Sequence, residues 1–342
     1  MLTKDKYIVP TGRISCDMHV INDFVFIDPD ISHGVEIDAI FIPTQGKRDN
    51  IHSLINDLHK YTSKIFVITS EGTPEQKYNV TNIIKLSKND QNDFLNNVSS
   101  SKNPSRGFKD DYDLPAKRNL ALKIAKENGF ENIALIDDDM IIGETDIFKA
   151  GKILQLGASA VGFYSLNFPD KSVVDLIECI LYNNSPDVFL SGNCLFINMA
   201  KMSGFFPYVY NEDWMFIISN INRGSVFGAG IIQQCAHEPY SDFERIRFEQ
   251  FGDVIASGAI KAGIDKGVGL PVDLFFWEET YRDYQKRLLS LLREAERANQ
   301  FVSQLSEALK TVNQFKSEDI VKFIKQLIHE NNERSDPKIF DN

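Results

Sequence analysis

Three carboxylates in a row, Asp137, Asp138 and Asp139, follow an apolar run in ENIALIDDDMII, residues 131–142. Like charges at contact distance repel, and taking each carboxylate out of water costs on the order of several kcal/mol. The arrangement therefore calls for something positive beside it. A hard divalent cation is the natural partner, because Mg²⁺ and Mn²⁺ take oxygen ligands and are commonly held by one or two carboxylates together with substrate phosphates. Alternation along an extended chain turns Asp137 and Asp139 to one side and Asp138 to the other, but that rule loosens at a strand end, so which pair binds metal stays open. Taken alone, the stretch also reads as a solvated acidic turn, since D-x-D is short and recurs by chance.

Further groups with chemical potential come later in the chain. Glu212-Asp213, in NEDWMF, offers a carboxylate able to take a proton from a hydroxyl. The same pair suits the first turn of a helix, because MFIISNI continues with helical spacing. His237, between Ala236 and Glu238, has the chemistry of a metal ligand and equally that of a structural or exposed histidine. Asp242, Arg245 and Arg247 form a charged segment before Gly252. It reads as a solvated helix face or as a lid whose arginine forks reach phosphate oxygens.

These residues need elements to hold them. IDAIFIP, KIFVITS, NVTNIIKLS and NIALID read as strands, and Asp49 can N-cap a helix that puts Ile51, Leu54, Ile55 and Leu58 on one face. Pro115 suits a first helical turn, and the helix AKRNLALKIAKEN ends at Gly129. Past residue 145 the pattern predicts a helix (FKAGKILQL), a strand (ASAVGFYSL), a helix (SVVDLIECILYN) and a strand-like VFLSGNCLFIN. Residues 88–112 are polar and predict a mobile loop; residues 252–272 are glycine-rich and predict a segment winding over the surface. Alternating strands and helices predict an α/β fold with a mostly parallel sheet covered on both faces, where ligands bind beyond the carboxyl ends of the strands. The triple aspartate lies at such an end. Residues 1–35 read as an N-terminal extension or edge hairpin, 36–272 as the catalytic domain and 273–342 as a C-terminal α-helical module.

In that last region Tyr281, Tyr284, Leu288, Leu291, Ala295, Ala298, Val302, Leu305, Leu309 and Val312 recur three and four apart, a continuous a/d seam. The seam predicts either a hairpin folding back on the catalytic body or a coil for docking a partner or for self-association, a homo-oligomer joined through residues 281–312. A second helix, SEDIVKFIKQLIHE, starts at Ser317 with Glu318 and Asp319 in its first turn.

Bulk properties narrow the classes. The 342 residues are 43% hydrophobic and 25% charged, the balance of an ordinary globular protein. No run approaches the roughly 20 apolar residues of a membrane span, and no signal-peptide core follows the N-terminus, so the expected location is cytoplasmic. Four dispersed cysteines argue against a zinc ribbon or disulfide scaffold. A net charge of −11 disfavours general nucleic-acid binding, while leaving a nucleic acid open as an acceptor in a local basic groove.

Taken in order, the motifs of residues 36 to 240 resemble the GT-A nucleotide-sugar glycosyltransferases, in particular the family 2-like group. The matching residues are Pro43-Thr44 with Arg48 soon after, Ser70-Glu71, Arg118-Asn119, Asp137-Asp138-Asp139, Ser191-Gly192, Gly204-Phe205, Asn211-Glu212-Asp213-Trp214 and His237. The resemblance implies a GT-A fold, a Rossmann-like mixed sheet flanked by helices. It also implies a nucleotide-sugar donor, by default a UDP-sugar, and hexosyl transfer to an acceptor it does not identify. Mn²⁺ or Mg²⁺ bridging the donor diphosphate would stabilise the leaving group. In that scheme Asp139 and His237 suit the metal, with Asp137 as a further ligand or as a hold on the donor sugar or ribose. Asp138 belongs to the same donor-binding cluster. Glu71 is implied to contact the base, Arg118 the base or a phosphate, and Thr44 the nucleoside pocket, alongside Pro43 and Arg48. Asp213, seconded by Glu212, is the candidate general base of an inverting transfer.

Phe205, Phe206, Tyr208, Tyr210 and Trp214 are read as core residues or as stacking surfaces for an acceptor. A D-x-D phosphohydrolase of the haloacid dehalogenase type is the rival enzyme. There the motif usually stands near the chain start and continues with Thr or Val; here it continues Met140-Ile141. The non-enzymatic rival is a scaffold built on a degenerate transferase body.

Overall fold

The computed structural model of the chain describes residues 7–10, 24–27, 37–46, 51–73, 78, 82–109, 112–166, 172–183, 190–202, 204–221, 226–235, 239–262 and 269–333. Arg48, Asp49 and His237, and most of residues 1–35, lie outside the described residues. From the N-terminal region β1 (Tyr7–Pro10) and β2 (Phe24–Ile27) pair antiparallel as a sheet of their own.

The main sheet is built from the apolar runs. In chain order its strands are β3 (Ala39–Pro43), β4 (Ile65–Ser70), β5 (Asn82–Leu86), β6 (Asn132–Ile136), β7 (Met140–Ile141), β8 (Ala160–Leu166), β9 (Leu190–Asn198) and β10 (Val226–Gln234). Across the sheet they lie β5-β4-β3-β6-β9-β8-β10-β7. Pairs β5-β4, β4-β3, β3-β6 and β8-β10 are parallel, whereas β9 runs antiparallel to β6 and β8, and β7 antiparallel to β10. The sheet is therefore mixed, with β9 reversing the parallel pattern.

Strand β3 shows why both faces must be covered: its five residues are all buried. Alternation sends Ile40 and Ile42 to a core shared with α1 (Ile51–Leu58) and, further along, Ile147, Ala150 and Leu154 of α4 (Glu144–Gln155). Ala39 and Phe41 point the other way, to Ala121, Leu122 and Ala125 of α3 (Leu114–Glu127) and Phe216 of α6 (Glu212–Ile221). Helix α1 buries the four residues that its sequence spacing places on one face. The result is the α/β class expected from the GT-A resemblance, a mixed sheet between helices with a C-terminal helical region.

Three expectations are corrected. Residues 88–112 are not a loop throughout, because α2 (Lys88–Asn97) opens the segment. The Ser87 hydroxyl accepts from the Asp90 amide at 3.0 Å, the Asp90 carboxylate returns a bond from the Ser87 amide, and Phe94 and Leu95 are buried. Two short 3₁₀ turns, Ser99–Ser101 and Pro104–Gly107, follow. Polar composition hid these elements because their anchors are local caps and the Glu330 carboxylate, which accepts from the Ser99 and Ser100 amides.

Residues 252–262 do not wind over the surface but belong to α7 (Phe243–Ala262). The glycines there serve close packing: a Cβ on Gly252 would stand 2.1 Å from the Tyr210 carbonyl oxygen, and one on Gly258 2.1 Å from Trp277 Cζ3.

The a/d seam is not continuous. It breaks where Asn299 and Phe301 adopt left-handed φ values of 53° and 58°, between α8 (Leu274–Ala298) and α9 (Val302–Val312). Helix α10 (Ser317–Glu333) then follows. Trp277, Tyr284, Leu288, Leu291, Ala295, Leu305 and Val312 are buried in one core with residues of α5 (Val173–Tyr182) and α7. The seam is thus used within the chain. No described helix is long and apolar enough to cross a membrane.

Candidate active site

A cleft of about 510 Å³ opens at the carboxyl ends of β3, β6 and β10. Its walls include Pro43, Thr44, Asp137, Asp138, Asp139, Gln234, Lys109, Tyr112, Asp113, Lys117, Tyr210, Arg245 and Phe248. The aspartates occupy the turn between β6 and β7, where the Met140 amide donates to the Asp137 carbonyl at 3.3 Å. On a turn the side chains radiate rather than alternate, and each aspartate meets a different partner.

Asp137 takes Arg118 Nη2 on both oxygens at 3.1 Å. Asp138 accepts a short hydrogen bond from the Thr44 hydroxyl. Asp139, 6% exposed, takes Gln234 Nε2 at 3.2 Å on each oxygen. Part of the positive character demanded by the sequence is therefore supplied by the chain itself. Arg118, on α3, is 3% exposed, and also donates to Glu212 at 2.8 Å and to the Gly192 carbonyl at 3.1 Å. Burial works against its charge, but Asp137 and Glu212 outweigh burial and raise its pKa.

Glu212 and Asp213 start α6, as an acidic first turn should. Both are buried, and neither is among the residues that line the cleft. Glu212 is locked between Arg118 and the Tyr112 hydroxyl, which donates to it at 2.8 Å. Burial pushes the Glu212 carboxyl up to about 7; Arg118 opposes the rise and Asp213 adds to it. Tyr112, itself in the cleft wall, is raised well above its ordinary value by burial first and by Glu212 second. Asp213 Oδ2 accepts from the Gly192 amide at 2.6 Å, and a Cβ on Gly192 would lie 2.4 Å from Asp213 Cβ. This contact explains why the chain carries glycine opposite the acidic pair.

Of the other residues singled out from sequence, Glu71 is exposed and accepts from the Lys88 amide at 2.8 Å, capping α2 outside the cleft wall. Thr44 and Pro43 are in the wall. Phe205, Phe206 and Tyr208 are core, whereas Tyr210 faces the cleft. Arg245, in the wall, is held by the fully buried Glu249 at 2.6 Å. Arg247 turns elsewhere, to Glu307 at 3.0 Å.

Sequence reasoning missed Lys109, Asp113, Lys117 and Gln234. Lys117 is buried and donates to the Thr44 carbonyl at 2.8 Å and to Asp113 at 2.9 Å. The four-residue spacing of Asp113 and Lys117 at a helix start was a readable signal. Gln234 carried none, since only the pairing of β7 with β10 brings it opposite Met140, next to Asp139.

Among the described residues, no three His, Cys, Asp or Glu side chains come together as a ligand group for a metal ion. The carboxylates of Asp138 and Asp139 are nevertheless hard oxygen donors of the kind these cations take, here engaged by the Thr44 hydroxyl and by Gln234 Nε2. Gln234 Oε1 is buried with no hydrogen-bond partner among the described residues. In donor chemistry the residues present fit Mg²⁺ or Mn²⁺.

No family model matches the chain, and no curated protein matches it. Among solved structures it is similar to the A197 protein of STIV, with 14% identity and a TM-score of 0.31 over 56% of this chain and 80% of that one. It is also similar to a provisionally named nucleotide-diphospho-sugar transferase of Desulfovibrio desulfuricans G20. There the identity is 9% and the TM-score 0.36, over 81% of this chain and 99% of that one. Likenesses of this size carry no argument about activity.

Proposed function

We propose that this chain is a metal-dependent glycosyltransferase that moves a sugar from a nucleotide-sugar, by default a UDP-hexose, to an acceptor hydroxyl with inversion. One observation carries the reading: a single cleft at the strand carboxyl ends joins three consecutive aspartates to Lys109 and Arg245. Such a cleft has the means to take a diphosphate through cations, with Arg245 offering a fork matched to phosphate oxygens. A divalent cation bound at Asp139, with Asp137 and His237 as the companions expected from sequence, would offset the charge that develops on the departing diphosphate. Thr44 and Pro43 border the nucleoside, and the aromatic rings of Tyr112, Tyr210 and Phe248 supply walls that exclude water from it.

In the transfer, the acceptor oxygen forms a bond to the anomeric carbon as the carbon–oxygen bond to the diphosphate breaks. The electron pair leaves with the nucleoside diphosphate. Asp213 is the base expected from sequence for the acceptor proton. It is buried outside the cleft wall with Oδ2 held by the Gly192 amide, so in this scheme the acceptor hydroxyl must approach it from beyond that wall. Glu212, held by Arg118 and Tyr112, is a positioning residue in this scheme.

The test is to incubate the protein with a panel of nucleotide-sugars and Mn²⁺ and to follow nucleoside diphosphate release, with water as the acceptor. Release from one donor, reduced about 100-fold or more in Asp139→Asn and Asp213→Asn, is expected. Hydrolysis of simple phosphomonoesters with no nucleotide requirement would replace the reading with a phosphohydrolase.

A further inference from the structure

Gln234 ends β10, and its Cα pairs with Met140 in the neighbouring strand. The backbone there is pinned, since the Cys235 amide donates to the Asp139 carbonyl at 2.8 Å. The side chain is 8% exposed, in the wall of the cleft. Its Nε2 sits symmetrically, 3.2 Å from both oxygens of Asp139, while Oε1 is buried with no hydrogen-bond partner among the described residues.

A side chain needed only to hold Asp139 has simpler forms. Lysine or arginine would donate to the carboxylate and carry no acceptor, whereas glutamine buries one that no described group satisfies, an unfavourable arrangement. What glutamine adds is the carbonyl oxygen, a neutral, hard donor of the kind that serves beside carboxylates around Mg²⁺ and Mn²⁺. A carboxamide also has nearly the same shape with its nitrogen and oxygen exchanged, so it presents N–H to a carboxylate or oxygen to a cation at no cost in packing.

We infer that Gln234 is an oxygen ligand of the cation site, a two-way amide that hydrogen-bonds Asp139 through Nε2 when no cation is bound and turns Oε1 to the cation when one is. This rests on the metal-dependent reading above. It adds a ligand that lies outside the acidic motif and is independent of His237. The neutral amide also lets the site gain an oxygen without gaining a charge.

The test is Mn²⁺ binding by the full chain without nucleotide, followed through the loss of the free-ion electron paramagnetic resonance signal. Circular dichroism checks the fold of each variant. Gln234→Leu removes the oxygen at similar volume and is expected to weaken Mn²⁺ about tenfold or more. Gln234→Glu places an anionic oxygen at the same point and is expected to bind Mn²⁺ at least as tightly as wild type, which guards against a loss caused by misfolding. Wild-type affinity in folded Gln234→Leu, or equal weakening in both variants, would overturn the inference and leave Gln234 as a structural partner of Asp139. Wild-type protein that binds no Mn²⁺ would overturn it together with the metal dependence. Binding of nucleoside diphosphate by that same protein in the absence of metal would show that the donor site had survived, so the two failures are distinguishable.

Discussion

Glu212 gives the sharpest prediction, because its environment fixes both a sign and a size. The carboxyl is 3% exposed, and burial lifts it from an ordinary 4.5 to about 7 in the folded chain. Between those values the folded state binds more protons than the unfolded one, so stability from this group is present at low pH and lost as pH rises through the folded value. The gap from 4.5 to about 7 is two and a half pH units, and each is worth about 1.36 kcal/mol. Between pH 4.5 and pH 8 the wild type should therefore lose about 3 kcal/mol of stability that Glu212→Gln does not lose, since a glutamine does not ionise. The glutamine keeps an oxygen for Arg118 and a polar partner for Tyr112, so packing is little changed. Other buried acids, Glu249 and Asp253 among them, are also raised by burial, and taking the difference between wild type and variant cancels them. The assay is urea unfolding at half-unit pH steps on both proteins. Curves that run parallel within about 0.5 kcal/mol, or a wild type that gains on the variant with rising pH, would refute the burial argument.

Three more predictions follow from contacts at the site and in the core. Arg118→Met leaves Glu212 and Asp137 without their shared guanidinium and should cost about 3–5 kcal/mol in urea unfolding at pH 8, with a smaller loss at pH 5, where Glu212 is protonated. Gly258→Ala drives a methyl into the Trp277 ring, and the overpacking should cost about 1–3 kcal/mol by the same assay. Glu330→Ala strips the acceptor from the Ser99 and Ser100 amides; stability should fall by about 1–3 kcal/mol, and hydrogen exchange should speed up across residues 98–107 ahead of the rest of the chain.

Those contacts also mark where the sequence could and could not be read. The strands IDAIFIP, KIFVITS and NIALID were legible because a strand covered on both faces must be apolar throughout, and such runs stand out. Helix α1 was legible from the spacing of Ile51, Leu54, Ile55 and Leu58. Helix α2 was hidden because its ten residues bury only Phe94 and Leu95 and rely on the Ser87–Asp90 cap. Helix α7 was hidden by glycines whose meaning lies in Tyr210 and Trp277, partners distant in sequence. The seam through residues 281–312 was visible, but its break at Asn299 was not: asparagine tolerates a left-handed conformation without demanding one. At the site, Asp137–Asp139 announced themselves by repulsion, and Thr44 by its place after a strand. Their separate partners, Arg118, Thr44 and Gln234, depend on the turn after β6 and on the order of strands, which no local pattern encodes.

The central claim is that the cleft behind Asp137–Asp139 is a donor site for a nucleoside diphosphate. The most direct measurement is the melting temperature of the wild type and Asp139→Ala against a panel of nucleoside diphosphates, with and without Mn²⁺. A ligand at about 100 times its Kd stabilises the native state by about 2.7 kcal/mol, well within reach of such an assay. The account predicts one nucleotide that raises the wild-type melting temperature in the presence of Mn²⁺ and has no effect on Asp139→Ala. A folded wild type whose melting temperature responds to no nucleotide and to no Mn²⁺ would contradict it.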